Sequence, residues 1–290
     1  MDTNQDTSLS SESGSRSCGS ADGVRVPGKS LCVLHANCQG DVLQGILEHS
    51  SEFTRYFHIR HYTNYIREPV PDADLEKCSL FLYQNLGSEW GDLASAVLIS
   101  KLPPSCQVIR IPNLFFKGYW PFWMQSPVID FANALLERLL SLGLAADKIV
   151  HIYVNGLHSA FSSLLNTARD SLQQEYAKEE NCPIPCAHII EAFWREEPLF
   201  YTVNHPARRL SLHVAESLLK LLGLSALPDG FCRSYRHPDA NFCLPIHPVV
   251  GEQCNLSFTG RDVRYTVFSH EMTHKEFVLA YLACRINNIQ

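Results

Sequence analysis

"LCVLHANCQGDVLQGILEHS", residues 31–50, decides the fold. Residues 31–36 are a short, mostly apolar run that reads as a buried strand. The run stops at Asn37-Cys38-Gln39-Gly40. Val42, Leu43, Ile46 and Leu47 then recur at helical spacing. The chain therefore turns from strand into helix within a few residues, and Cys38 stands on the corner. His35 lies within the strand and is read as a packing residue.

The same alternation continues downstream. "YFHIRHYT" (56–63) reads as a second strand and "CSLFLYQ" (78–84) as a third. "WGDLASAVLISKL" reads as the following helix, and "CQVIRIP" (106–112) as a fourth strand stopped by Pro112. "PVIDFANALLERLLSLGL" reads as a long helix, with Pro127 near its first turn and Gly143 near its end. "KIVHIYV" (148–154) fits a strand or a helix lead-in. The next forty residues are mostly helical, broken at "CPIPC" (182–186). "PLFYTVNHP" (198–206) reads as a strand entering a Pro-marked corner. Leu210, Val214, Leu218, Leu219 and Leu222 mark another helix, 223–268 looks irregular with room for a small hairpin, and a helix closes the chain from about 274 to 287.

Strands alternating with helices imply a three-layer α/β sandwich, with a mainly parallel central sheet and helices on both faces. Residues 1–29 are Ser-rich and low in apolar content, the composition of a disordered tail. Residues 30–290 then form the single folded domain. Ligands of such sheets sit at the carboxyl ends of the strands. Four polar corners follow the proposed strands: Asn37-Cys38-Gln39, Gln84-Asn85, Pro112-Asn113 and Asn204-His205. All four should gather on one edge.

Net charge is −6 over 290 residues, with 19% charged side chains, so no basic face for nucleic acid is expected. No run approaches a membrane span, and no apolar leader precedes the Ser-rich start. Eleven cysteines at irregular spacing read as reduced thiols of a cytoplasmic protein rather than a disulfide framework.

Cys38 has two readings. It is a small buried cysteine ending a strand, or it is a nucleophile at a helix mouth, where the dipole lowers a thiol's pKa. In the second, the Gln39 and Gly40 amides would hold an oxyanion. His205, at a strand end, is the best base candidate, although thirteen histidines make chance pairing easy. No orienting carboxylate is evident, because position 202, three before His205, is Thr. "HEMTH" (270–274) has the spacing of a helical zinc motif. Thr273 and Glu276, however, form a T-x-x-E capping box, which places His270 and Glu271 before the helix. "CPIPC" lacks a second thiol pair, so no metal is expected. Arg208, Arg209 and Lys117 are ordinary surface charge or phosphate contacts beside the site.

"ANCQG", "CSLFLYQ", "IPNLFFKGYWP" (111–121), "LFYTVNHP" (199–206) and the closing "MTHKEFVLAYL" occur in that order. On these blocks, from about Ser30 to the C-terminal helix, the chain resembles the WcbI-type polysaccharide biosynthesis acetyltransferase family. The resemblance implies coenzyme A as acyl donor, a sugar-type hydroxyl as acceptor, Cys38 as nucleophile and His205 as its partner. A looser similarity to SGNH-type esterases rests on the His-Pro of "TVNHP", without their Asp and with Cys in place of Ser. Asn37, Gln84, Asn113, Tyr119 and Asn204 are expected to line the pocket, with Lys117 and Arg208 on the cofactor. An SGNH-like esterase, or a non-catalytic module binding a nucleotide or sugar, is the alternative.

Overall fold

The structure, a computed structural model, describes residues 28–127, 129–156 and 164–286. The N-terminal tail read from composition lies outside these. Four strands form the central sheet: β1 (Ser30–Ala36), β2 (Phe57–Thr63), β3 (Cys78–Tyr83) and β4 (Gln107–Arg110). Their order is β2-β1-β3-β4 and every pair is parallel. Ala36 pairs with Thr63, His35 with Tyr83, and Tyr83 with Arg110, so the strands end together.

Alternation along β1 divides its side chains between two layers. Cys32, Leu34 and Ala36 pack on one face with α1 (Gln39–Leu47), α2 (Ser51–Tyr56) and α9 (Arg208–Leu221), through Ile46, Phe53, Leu210 and Leu218. Leu31 and Val33 pack on the other, with Val70, Leu75 of α3 (Asp72–Leu75) and Leu98 of α4 (Ser95–Ser100). Each such fully buried aliphatic side chain contributes roughly 1.5–3 kcal/mol. The sheet is buried on both sides, which is why its inner strands read as apolar runs.

The remaining elements begin with two small strands, β5 (Trp123–Met124) and β6 (Ala132–Asn133), and the helices α5 (Ala134–Ser141) and α6 (Ala146–His151). Then come α7 (Leu164–Lys178), α8 (Ala187–Phe193), and β7 (Phe200–Thr202) with β8 (His205–Pro206). After α9 follow α10 (Asp229–Ser234), α11 (Pro248–Cys254), the hairpin β9 (Arg264–Val267) with β10 (His270–Thr273), and α12 (His274–Ile286). Helices α5, α6 and α12 share a second apolar cluster around Leu136, Ile149, Tyr153 and Leu282.

Three elements differ from their sequence reading. The long helix expected from Pro127 begins only at Ala134, because the Asn133 side chain accepts the Leu135 and Leu136 amides and caps it there. The helix over 90–102 is broken at Ala94, whose ψ of 135° is extended; a 3-10 turn, Ser88–Leu93, precedes it. "PLFYTVNHP" does not join the central sheet. Its β7 pairs with β8 in a separate antiparallel ribbon. "KIVHIYV" is helical, and among the described residues it passes from α6 into a π-turn at Ile152–Gly156.

Candidate active site

The four polar corners do meet, and two glutamines join them. Gln39 opens α1. Its Nε2 donates to the carbonyls of Leu114 (2.8 Å) and Asn204 (2.9 Å), and its Oε1 accepts from Leu114 N (3.1 Å) and Gln84 Nε2 (3.3 Å). Gln84 is fully buried past the end of β3. Its Oε1 accepts the Asn37 amide at 2.8 Å, and its Nε2 also donates to Pro112 O at 3.2 Å. Asn37 Nδ2 reaches Asn113 Oδ1 at 3.2 Å. The ends of β1, β3 and β4 and the loop before His205 thus form one hydrogen-bonded unit.

That unit delivers His205 to Cys38, 167 positions away in sequence, with Nε2 3.3 Å from Sγ. His205 Nδ1 lies 2.6 Å from Thr202 Oγ1, which in turn donates to Asn204 Oδ1 at 3.1 Å. With the Thr202 proton on Asn204 Oδ1, the hydroxyl accepts from Nδ1–H, and in that tautomer the lone pair of Nε2 faces the thiol. Thr202 is fully buried, and it occupies the place where an orienting acid was sought.

The electrostatics correct the sequence reading of Cys38. The residue is the N-cap of α1, but the helix mouth does not produce a thiolate. Burial, then the charges of Asp239 and Asp41, push its pKa up to about 11, against the lowering effect of the Cys38 and Gln39 amides. Burial also lowers the pKa of His205. The resting pair is neutral thiol and neutral imidazole.

The Gln39 and Gly40 amides, expected to hold an oxyanion, both donate to Asn37: Gln39 N to Oδ1 (2.9 Å) and Gly40 N to the carbonyl (2.8 Å). They build the turn. Gly40 is required for another reason. A Cβ there would meet the His61 ring and stand 2.9 Å from Ala36 Cβ, so α1 could not start this close to the end of β1 with the His61 ring in place. Tyr119 is also corrected. It is fully buried among Phe116, Trp120, Trp194 and Phe258, and its hydroxyl donates to Trp194 O at 2.6 Å. It is a core residue.

Of the cations, Arg208 is bonded to the Cys232 and Arg233 carbonyls at the end of α10, and Arg209 pairs with Glu197. Lys117 holds its ammonium 5.6 Å from the centre of the Trp123 ring. Arg208 thus ties the end of α10 through Nη2 alone, and the residue is exposed.

Among the described residues no group of three or more His, Cys, Asp or Glu is arranged to hold a metal, and no helix is long and apolar enough to cross a membrane. The ten described cysteines are free thiols. In "HEMTH", His270 lies in β10 and His274 opens α12, so the two do not share a helical face.

Residues 31–227 match the family described as polysaccharide biosynthesis enzyme WcbI. The chain belongs to that family. No curated protein matches it in sequence. A solved structure of WcbI shares the fold, with a TM-score of 0.69 at 16% identity, covering 90% of this chain and 96% of that one. That structure is described as a novel polysaccharide biosynthesis enzyme, in its native form without a disulfide bond between coenzyme A and one of its cysteines. Four of the five blocks behind the resemblance, "ANCQG", "CSLFLYQ", "IPNLFFKGYWP" and "LFYTVNHP", lie within the matched residues and supply the hydrogen-bonded corner described above; the closing "MTHKEFVLAYL" lies beyond them and takes no part in it.

Proposed function

We propose that the chain is a coenzyme A-dependent O-acyltransferase that moves an acyl group, acetyl being the simplest, onto a hydroxyl of a carbohydrate acceptor in the cytoplasm. The observation that carries this reading is the 3.3 Å approach of Cys38 Sγ to His205 Nε2 at the carboxyl edge of the sheet. Membership of a polysaccharide biosynthesis family supports the acceptor class. The relation between coenzyme A and a cysteine described for the structural neighbour supports the donor.

A neutral pair can run the reaction with His205 as proton carrier. His205 takes the Cys38 proton as sulfur attacks the acyl carbonyl. The carbon–sulfur bond to coenzyme A breaks, and the departing thiolate takes that proton. The acceptor hydroxyl then gives its proton to Nε2 and attacks acyl-Cys38, and the Cys38 sulfur leaves and is reprotonated. Thr202 keeps the other proton on Nδ1, so Nε2 is the nitrogen that takes up and returns the proton in each half of the reaction. With the Gln39 and Gly40 amides engaged, Asn37 Nδ2 is the donor best placed to turn onto the acyl oxygen, since its bond to Asn113 is long and exposed.

Acid-quenched protein treated with acetyl-coenzyme A should carry one acetyl group on the Cys38 peptide. Cys38→Ser should lose both that adduct and turnover; near-full activity in Cys38→Ser removes the nucleophile and leaves His205 acting on the acceptor directly. Coenzyme A at about 100 times its Kd should stabilise the fold by about 2.7 kcal/mol. Equal stabilisation by any adenine nucleotide points to a nucleotide-binding module. Release of free acid at the same rate without an acceptor identifies an esterase.

A further inference from the structure

Among the described residues His205 has no carboxylate bonded to it. Its Nδ1 partner, Thr202, fixes the ring but carries no charge, and an imidazolium formed in this half-buried site needs one nearby. The fold carries a carboxylate on a turn fastened to the elements around His205, and the site's hydrogen bonds do not use it.

Asp239 lies on the turn Pro238–Asn241, which is fastened near His205 from two directions. On one side, His237 Nδ1 accepts the Asp239 amide at 3.1 Å, and His237 Nε2 donates to Ser211 Oγ at 3.0 Å. Ser211 belongs to α9, which starts three residues after His205. On the other side, Phe242 packs on Phe131 with ring centres 5.3 Å apart, and Phe131 lies 6.1 Å from the His205 ring. The Asp239 side chain is 32% exposed. Its carboxylate has no hydrogen-bond donor among the described residues. The basic side-chain nitrogen that approaches it, His237 Nδ1 at 3.9 Å, already has its lone pair on the Asp239 amide.

The other titratable groups around the pair are neutral or engaged. Asp41 faces Cys38 but is bonded to His61 at 2.8 Å. His237 faces His205, and burial pushes it down to about 4. Tyr201 and Tyr235 face Asp239 and are held protonated by burial, and Arg208 next to Tyr201 is bonded to backbone carbonyls. The Asp239 charge reaches both members of the pair: it raises the proton affinity of His205 and of Cys38.

We propose that Asp239 is a positioning residue that supplies the missing negative charge, stabilising the His205 imidazolium formed when His205 accepts the proton of the acceptor hydroxyl. This rests on the acyl-transfer reading. In the step concerned, the acceptor O–H bond breaks and an N–H bond forms at Nε2. The oxygen bonds to the acyl carbon, the bond to Cys38 sulfur breaks, and that sulfur takes the proton back. The roles of a single orienting acid are divided between Thr202, which sets the ring, and Asp239, which supplies the charge.

Asp239→Asn and Asp239→Ser remove the charge with residues that turns accept; Asp239→Glu keeps it. The pH dependence of Cys38 alkylation by iodoacetamide, read by mass spectrometry of the Cys38 peptide, needs no acyl donor. In both neutral variants its midpoint should move down by about one pH unit and acyl transfer should slow on the order of tenfold, the factor that one pKa unit represents. The acid limb of the rate profile should move down with it, and Asp239→Glu should restore all three. Folded neutral variants that alkylate and transfer like the parent overturn the proposal. A moved midpoint in a protein that transfers no acyl group overturns the acyl-transfer reading and supports the charge relation.

Discussion

The Thr202 hydroxyl stands 2.6 Å from His205 Nδ1 and passes its own proton to Asn204 Oδ1, so the ring that meets Cys38 is oriented by an alcohol. Thr202→Val keeps the shape and removes the acceptor. The imidazole can then take the wrong tautomer, with Nε2–H facing the thiol. Acyl transfer should fall by about tenfold to a hundredfold, within the range of about 10² to 10⁴ that acid–base catalysis contributes. Thr202→Ser should restore it. The check is kcat measured with KM, since a lost tautomer acts on kcat. A Thr202→Val protein with unchanged kcat removes Thr202 from the mechanism.

Gln39 joins three corners of the site through four hydrogen bonds, to Leu114 N and O, Asn204 O and Gln84 Nε2. Gln39→Glu has almost the same shape but cannot donate to the two carbonyls. Each partner left unpaired away from water costs about 1–3 kcal/mol. Gln39→Glu should therefore lower stability by about 2 kcal/mol or more and loosen the loop that carries His205. Denaturant unfolding with a parallel rate measurement tests both. A variant as stable and as active as the parent shows that Gln39 does not hold the corner together.

His35 is fully buried at the end of β1, and neither ring nitrogen has a hydrogen-bond partner among the described residues. Burial pulls its pKa from 6.5 to about 4, and it does the same to His237. His274 is lowered in the same direction. A histidine with a depressed folded pKa contributes stability that is present above its unfolded value and is lost as pH falls through the folded one. Thermal stability should hold above about pH 6.5 and decline between there and about pH 4. His35→Leu removes an unsatisfied polar group, so it should leave the fold as stable or more stable by about 1 kcal/mol near pH 7 and flatten the acid slope. A loss near neutral pH would mean that the ring makes a contact the fold requires.

The central sheet was legible because strands buried on both faces must be largely apolar, and Leu31–Ala36 and Cys78–Tyr83 are, apart from His35 and Ser79. Cys38 was legible as a site residue because it stands on the corner after β1, at the edge where a parallel sheet collects its polar turns; His205 reaches that edge from a separate ribbon, which the sequence reading took for one more such corner. What failed depends on where single side chains point. The helix over 127–144 was read from periodicity, although Asn133 before "ALLERLL" was the available stop signal. Tyr119 sits in a block rich in aromatics, and spacing alone does not say which of them turn inward. The oxyanion reading assumed free amides at a helix start, whereas Asn37 one residue before Cys38 folds back on both. In the sequence Thr202 marks only a missing acid, because a hydroxyl in that role becomes visible once its distance to Nδ1 is known.

The sequence "HEMTH" ends in a reciprocal cap. Thr273 N donates to Glu276 Oε2 at 2.7 Å, and Glu276 N donates to Thr273 Oγ1 at 3.2 Å. The Thr273 amide and hydroxyl, both donating to Oε2, hold the Glu276 carboxyl below its usual pKa. Thr273 is therefore the residue of this motif on which α12 depends, and His270, exposed on β10, is not. Thr273→Ala should cost about 1 kcal/mol, the usual loss of an N-cap oxygen. His270→Ala should stay within about 0.5 kcal/mol of the parent, as exposed substitutions do. Zinc added to the parent should leave its Tm unchanged, because an ion bound to the folded chain would raise it. Zinc-dependent stabilisation that disappears in His270→Ala would restore the metal reading of the motif, and equal losses in the two alanine variants would show that the cap is not what holds the start of α12.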